Sequence, residues 1–184
     1  VAAAVLWCDG GPSTAYSAPP AANLPAVASS GQSAHGAVRL RSNAPLLFPM
    51  AERPRCDVLD NFGDPRGTRV HQGADLLATL GQPVYAVADG TLTDQWIAGN
   101  SNALLSGNAW RLDDTGGTYY FYAHLAGFAP GLTEGSTVRR GQVIGYVGDT
   151  GNPGAGNYHL HFEVHTAGGA AVNPLPLMAL PFVC

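Results

Sequence analysis

Four of the six histidines in this 184-residue sequence fall in three compact motifs. These are His71-Gln72-Gly73-Ala74-Asp75, Tyr122-Ala123-His124-Leu125 and His159-Leu160-His161. Imidazole nitrogen and carboxylate oxygen both bind zinc well, at about 2.0–2.2 Å, and a neutral imidazole can also accept a proton from a reacting group. His71 and Asp75 are four residues apart and could share a helix face, but 71, 73 and 75 also share one face of a strand. Gly73 and the turn residues around it favour the extended reading, in which Gly73 leaves room for an ion between the two side chains. In the segment from His159 to His165, alternation puts 159, 161, 163 and 165 on one face and Leu160, Phe162 and Val164 on the buried one. His159 and His161 then stand about 6.5–7 Å apart along the strand, a spacing that suits one ligand plus one catalytic or supporting group. Each motif taken singly also has an ordinary reading: a surface His beside an Asp, a structural His at a strand end, a polar strand face.

The elements that must position these residues are short strands and turns. Residues 83–88 lead to Asp89-Gly90 and then Thr91-Leu92-Thr93, a pattern that predicts a hairpin. Residues 109–112 run through Asp113-Asp114-Thr115-Gly116-Gly117 into the aromatic segment Thr118 to His124. Short strands flank Arg140-Gly141-Gln142, and the last clear strand is 159–165. No stretch from 46 to 184 carries an uninterrupted helical period of twelve or more residues, and no internal repeat of fixed period is present.

Composition agrees. Hydrophobic residues make up 46% and charged residues 12%, with 24 glycines and 14 prolines, which suits a turn-rich β domain because Gly and Pro interrupt helices but serve turns and bulges. A net charge of −4 argues against a nucleic-acid partner, which needs a basic stripe. No run approaches the ~18 apolar residues of a membrane span. Residues 1–38 carry Asp9 as their only formal charge and are rich in Ala, Ser, Pro and Gly. Such a segment has little bulky apolar surface to offset its ordering entropy, so residues 1–45 read as a tail or linker and 46–184 as the domain. Opening on Val1 is expected of a fragment or a processed form, and Trp7 before Cys8 is a poor match to a lipoprotein cleavage site. Cys8, Cys56 and Cys184 lack the CxxC spacing of a zinc site, and Cys56 with Cys184 is a candidate disulfide.

With its three motifs in this order, the sequence resembles the lysostaphin- and LytM-type zinc endopeptidases, peptidase family M23, from about Phe48 to Pro174. The likeness extends to residues 83–90, to Gly141-Gln142-Val143-Ile144-Gly145 and to Asn173-Pro174. It implies a mainly β fold of the duplicated hybrid motif type, a small antiparallel sheet with a metal-containing groove. His71, Asp75 and His161 match the ligands of one Zn2+, and His124 and His159 match the two catalytic histidines. The implied function is hydrolysis of peptide cross-links or stem peptides of bacterial peptidoglycan through a metal-activated water. A secreted, periplasmic or wall-associated location and a monomer go with it.

Two other readings stand beside this one: a non-hydrolytic wall-binding or hydrolase-regulating module, and a zinc peptidase for glycine-rich proteins. The first is disfavoured because all five polar positions are filled. Glu163 is read as a solvated or structural residue, with contact to a zinc-ligating histidine as the alternative, and His165 and His35 are assigned no role. Residues 148–156 lack the Gly-Lys-Ser/Thr ending of a phosphate loop and are read as a mobile loop beside the groove. Tyr85, Trp96, Tyr119, Tyr120 and Tyr122 are candidate groove aromatics, although strand aromatics more often belong to the core. The tail, Asn43 included, is a candidate autoinhibitory segment.

Overall fold

The computed structural model describes residues 45–50 and 58–178. Cys8, Cys56 and Cys184, the candidate disulfide among them, lie outside these residues, as does the tail with Asn43. The described residues form twelve strands and two single 3-10 turns (Ser101–Ala103 and Leu175–Leu177), with no α-helix. In chain order the strands are β1 (Val58–Leu59), β2 (Pro65–Arg66), β3 (Arg69–Val70), β4 (Gly73–Leu77), β5 (Pro83–Tyr85) and β6 (Gly90–Trp96). They continue as β7 (Asn108–Asp113), β8 (Tyr119–Phe128), β9 (Thr137–Val138), β10 (Val143–Val147), β11 (His159–His165) and β12 (Ala171–Val172).

Ten strands make one antiparallel sheet whose main path is β1-β4-β11-β8-β7-β6-β9, with β10 bridging β8 and β5, and β12 added to β11. β2 and β3 form a separate small hairpin. The centre of the sheet is built from the segments that carry the motifs. β11 lies between β4 and β8, with His161 directly across from Asp75 on one side and Ala123 on the other.

The period of two expected for residues 159–165 holds: Leu160, Phe162 and Val164 enter the core. In β8 the core face carries Tyr120 and Tyr122. Tyr122 pairs with Trp110 of β7 and Phe162 of β11, so three large rings fill the space behind the central strands. Their polar atoms are paired, as burial demands. The Trp110 indole N–H donates to the Ile144 carbonyl at 2.9 Å, and the Tyr122 hydroxyl accepts from the Val87 amide at 3.0 Å.

One expectation is corrected. The Asp89-Gly90 hairpin does not form: β5 pairs with β10, whereas β6 pairs with β7 and β9. Gly90 is absent from the glycines with positive φ, which the expected tight turn requires. It is needed instead because a Cβ there would overlap the Asp113 carbonyl across the sheet. Short strands do flank Arg140-Gly141-Gln142, and they join different partners, β9 to β6 and β10 to β5 and β8.

Candidate active site

A groove of 640 Å³ runs across the face of the central strands. Its floor is β4, β8 and β11. Its walls are the β2–β3 hairpin, the end of β6 with Trp96, the segment from Ser101 to Ser106, and the loop before β11. All five side chains singled out in the sequence open onto this groove.

Three of them converge on one point. His71 Nε2 lies 2.9 Å from His161 Nδ1 and 3.2 Å from Asp75 Oδ1, and His161 Nδ1 lies 3.1 Å from the same oxygen. The outward-facing atoms of these side chains explain the chemistry of the inward ones. His71 Nδ1 is 2.9 Å from the Asn61 carbonyl, which can only accept, so the proton sits on Nδ1 and Nε2 presents a lone pair. His161 Nε2 is 2.7 Å from Glu163 Oε1, so its proton faces Glu163 and Nδ1 presents a lone pair. Asp75 Oδ2 accepts from Asn61 Nδ2 at 2.8 Å and from the Arg66 guanidinium at 2.9 Å, which leaves Oδ1 turned inward. With these tautomers three acceptors meet in a buried cluster, a set that a bound cation, or in its absence a proton shared between His161 Nδ1 and Asp75, holds together. Tetrahedral zinc at 2.0–2.2 Å would hold its ligands about 3.3–3.6 Å apart, close to the separations here, so the donor set fits a metal ion of this kind. It is a possible metal site among the described residues.

Electrostatics reflects the same convergence. Burial alone would raise the Asp75 pKa, but the His161 hydrogen bond and the neighbouring imidazoles hold it well below the usual carboxylate range. Burial lowers His161, yet hydrogen bonds to Asp75 and Glu163 outweigh it and the net shift is upward. His71 moves down, chiefly through burial.

The other two histidines sit beside this point with matching tautomers. His124 Nδ1 donates to the Thr150 carbonyl at 2.9 Å and His159 Nδ1 to the Asn157 carbonyl at 3.0 Å, which leaves both Nε2 atoms as proton acceptors. His159 Nε2 is 3.6 Å from Asp75 Oδ1. Burial pushes the His124 pKa down to about 4, keeping the ring neutral.

His124 reaches the groove by a backbone device. Simple alternation from Tyr120 and Tyr122 would send it into the core. Instead it adopts φ 64°, the only positive φ among the described non-glycine residues. Its amide donates to Ser106 and its carbonyl accepts from Gly148, both at 2.9 Å. The pairing of β8 with β7 is irregular between Tyr122 and Leu125, the stretch that holds this residue. The extra residue resets the parity, so Leu125 returns to the core and His124 faces the groove, a common use of bulges near active sites.

Other expectations sort as follows. Trp96 lines the groove, joined by Phe121, whereas Tyr120 and Tyr122 belong to the core. Tyr119 stacks on His165, with ring centroids 4.2 Å apart and planes at 10°. The loop before β11 does border the groove through Asn152, Pro153 and Asn157. Its Thr150 end is anchored, with Oγ1 bonded to the Leu125 carbonyl at 2.8 Å and accepting from the Asn108 amide at 2.9 Å. Gly73 does not serve mainly as space for an ion. A Cβ there would overlap the Phe162 carbonyl and meet Glu163 Cγ at 2.9 Å, so its role is close approach of β4 to β11. Glu163 is not a solvated residue but bridges His161 and His165. The supporting residues Asn61, Arg66 and Thr150 escaped the sequence reading because they reach the site from other segments, Arg66 from β2 and the others from loops, with no spacing signal. Glu163 and His165 carried one signal, the shared face of β11.

Two histidines and an aspartate thus meet at one point in a sheet groove, with two acceptor imidazoles beside it, the arrangement of a candidate metal-dependent centre. The model of peptidase family M23 matches residues 69–174, and the chain belongs to that family. It is 35% identical over 147 residues to the L-Ala–D-Glu endopeptidase of Bacillus subtilis (strain 168), covering 74% of this chain and 42% of that protein. It is 41% identical over 113 residues to the DD-carboxypeptidase/endopeptidase Mpg of Neisseria meningitidis serogroup B, covering 61% of this chain and 24% of that one. The chain thus spans less than half the length of these curated relatives. Among solved structures, the catalytic domain of the antimicrobial peptidase lysostaphin from Staphylococcus simulans is similar, at 30% identity and a TM-score of 0.55. That match covers 65% of this chain and 90% of the other. No helix among the described residues is long and apolar enough to cross a membrane.

Proposed function

We propose that this chain is a zinc-dependent endopeptidase that hydrolyses peptide cross-links or stem peptides of bacterial peptidoglycan, acting outside the cytoplasm or at the wall. His71, Asp75 and His161 hold one zinc ion, and His124 and His159 are the catalytic histidines. The observation that carries this reading is the meeting of His71 Nε2, Asp75 Oδ1 and His161 Nδ1 within 2.9–3.2 Å. The names of the relatives, endopeptidases for L-Ala–D-Glu and for substrates of a DD-carboxypeptidase/endopeptidase, point to wall peptides as the substrate class.

Zinc bound there supplies Lewis acidity, lowering the pKa of a water from 15.7 to about 7 and polarising the scissile carbonyl. Asn61 and Arg66 keep Asp75 in a one-oxygen ligand pose by occupying Oδ2. His124 and His159 present Nε2 lone pairs beside the reacting position. One takes the proton that the attacking water loses, and the ring so charged can return it to the leaving amine. The groove, at 640 Å³, accommodates several residues of an extended peptide, with Trp96 and Phe121 as apolar contacts.

The test is mass spectrometry of purified peptidoglycan incubated with zinc-loaded protein beside a chelator-treated sample. New peptide termini that depend on zinc are expected, and their masses identify the bond. Intact wall peptides in both samples, from several wall types, with the protein folded and zinc bound, would reject the reading.

A further inference from the structure

Behind the candidate zinc ligand His161 lies a chain of polar side chains that extends well past the Glu163 contact. Glu163 spans two imidazoles on its own strand: Oε1 accepts from His161 Nε2 at 2.7 Å and Oε2 from His165 Nε2 at 2.6 Å. His165 is itself only 4% exposed. Its other ring nitrogen, Nδ1, lies 3.1 Å from the Gly169 carbonyl in the turn that follows β11. One face of the ring is covered by Tyr119, stacked at 4.2 Å, and the Arg111 guanidinium lies 4.1 Å from the Tyr119 ring centroid. Arg111 is in turn clamped by the Asp113 carboxylate, at 2.9 Å from Nε and 2.7 Å from Nη2.

The register explains why these groups meet. Residues 161, 163 and 165 share one face of β11, and His165 stands directly across from Tyr119. Glu163 faces Gly73, whose missing Cβ leaves room for the Glu163 Cγ. A carboxylate this enclosed is costly unless both oxygens are bonded, and here both are, each to an imidazole.

We propose that Glu163 is a positioning residue for the metal centre and that His165 holds Glu163 in place. The Glu163 carboxylate keeps the His161 proton on Nε2, so that Nδ1 always offers its lone pair to the ion and the ring cannot rotate away. It also makes that nitrogen a stronger donor to the metal, as carboxylate partners of ligating histidines do, with effects of about 10–100-fold on metal affinity. Glu163 itself borders the groove, and His165, fixed between Gly169 and Tyr119, holds its second oxygen so that the first stays on His161 Nε2. The inference rests on the zinc reading of the same site.

The test is zinc affinity of the folded chain by competition with a chromophoric chelator, together with the cobalt-substituted absorption spectrum. The variants are Glu163→Ala, Glu163→Gln and His165→Phe, each checked for native near-UV circular dichroism. Glu163→Ala should weaken zinc binding by about 10–100-fold and alter the cobalt spectrum. Glu163→Gln keeps an acceptor for His161 Nε2 but sets an amide N–H against the donating His165 Nε2, and should recover only part of that loss. His165→Phe preserves the stack on Tyr119 but not the bond to Glu163, and should weaken zinc by a smaller factor. Folded Glu163→Ala with wild-type zinc affinity and an unchanged cobalt spectrum would overturn the inference alone. Failure of the wild-type chain to bind zinc would overturn the zinc reading and this inference together.

Discussion

His124 and His159 face each other across the groove with ring centroids 4.8 Å apart and planes at 61°, each anchored through Nδ1 to a backbone carbonyl of the loop between β10 and β11. That one loop therefore sets the tautomer of both rings. Neither anchor draws on the three groups that converge on the candidate metal position, and of the two rings His159 is the one within 3.6 Å of Asp75 Oδ1.

The clearest consequence is a separation of turnover from metal content. Asparagine is the substitution of choice at 124, because it tolerates the left-handed φ of 64° better than alanine does. His124→Asn should lower kcat by about 10²–10⁴-fold, the usual contribution of a positioned acid or base, with zinc stoichiometry unchanged by elemental analysis. Loss of zinc from this variant would move His124 from proton transfer to metal binding.

Removing the ion should destabilise the fold as well as silence it. At a zinc concentration a thousand times the dissociation constant, binding adds about 4 kcal/mol to stability. Thermal melts with and without chelator should show that difference in the wild-type chain. In His71→Ala, which deletes one of the three converging acceptors, chelator should leave the melting temperature where it is.

Gly73 should prove intolerant of even a methyl group. A Cβ at this position would overlap the Phe162 carbonyl and press on Glu163 Cγ, so β4 must move off β11 between Asp75 and His161. Overpacking of this kind costs about 1–3 kcal/mol. Denaturant unfolding of Gly73→Ala should show that loss, accompanied by weaker zinc binding. An unchanged midpoint with wild-type zinc affinity would mean that the two strands are not in the contact described.

The chain should lose stability in acid partly through His124. Its ring titrates near 6.5 when unfolded but, because burial disfavours the charged form, only near about 4 when folded. Between these values the unfolded state holds more protons, so this contribution is complete above pH 6.5 and is lost as pH falls toward 4. The difference corresponds to roughly 3 kcal/mol. Denaturant unfolding in chelator at several pH values should show a steeper acid loss in the wild type than in His124→Asn. Parallel curves for the two proteins would remove His124 as the source.

Within β11, the sequence by itself determined which side chains share a face. The alternation of Leu160, Phe162 and Val164 with His159, His161, Glu163 and His165 is a local pattern, and the period of two in a strand follows from backbone geometry alone. The mainly β architecture was legible for the same reason, since frequent Gly and Pro leave no room for long helices. Partner choice was not legible. Asp89-Gly90 has the composition of a hairpin turn, yet Gly90 is there for the close approach of Asp113, a neighbour more than twenty positions away.

The site shows the same division. Residue types and motif order singled out His71, Asp75, His124, His159 and His161, and the structure brings all five to one groove. What only the tertiary structure decided is how each is aimed. The Asn61 and Glu163 contacts select the inward nitrogens of His71 and His161, and Arg66 leaves one oxygen of Asp75 free. His124 is turned out of the core by bonds to Ser106 and Gly148, which hold a backbone conformation that its own strand pattern does not favour. Local periodicity is written in consecutive residues, whereas tautomer, register and bulge are set by hydrogen bonds from distant segments that exist only once the sheet has closed.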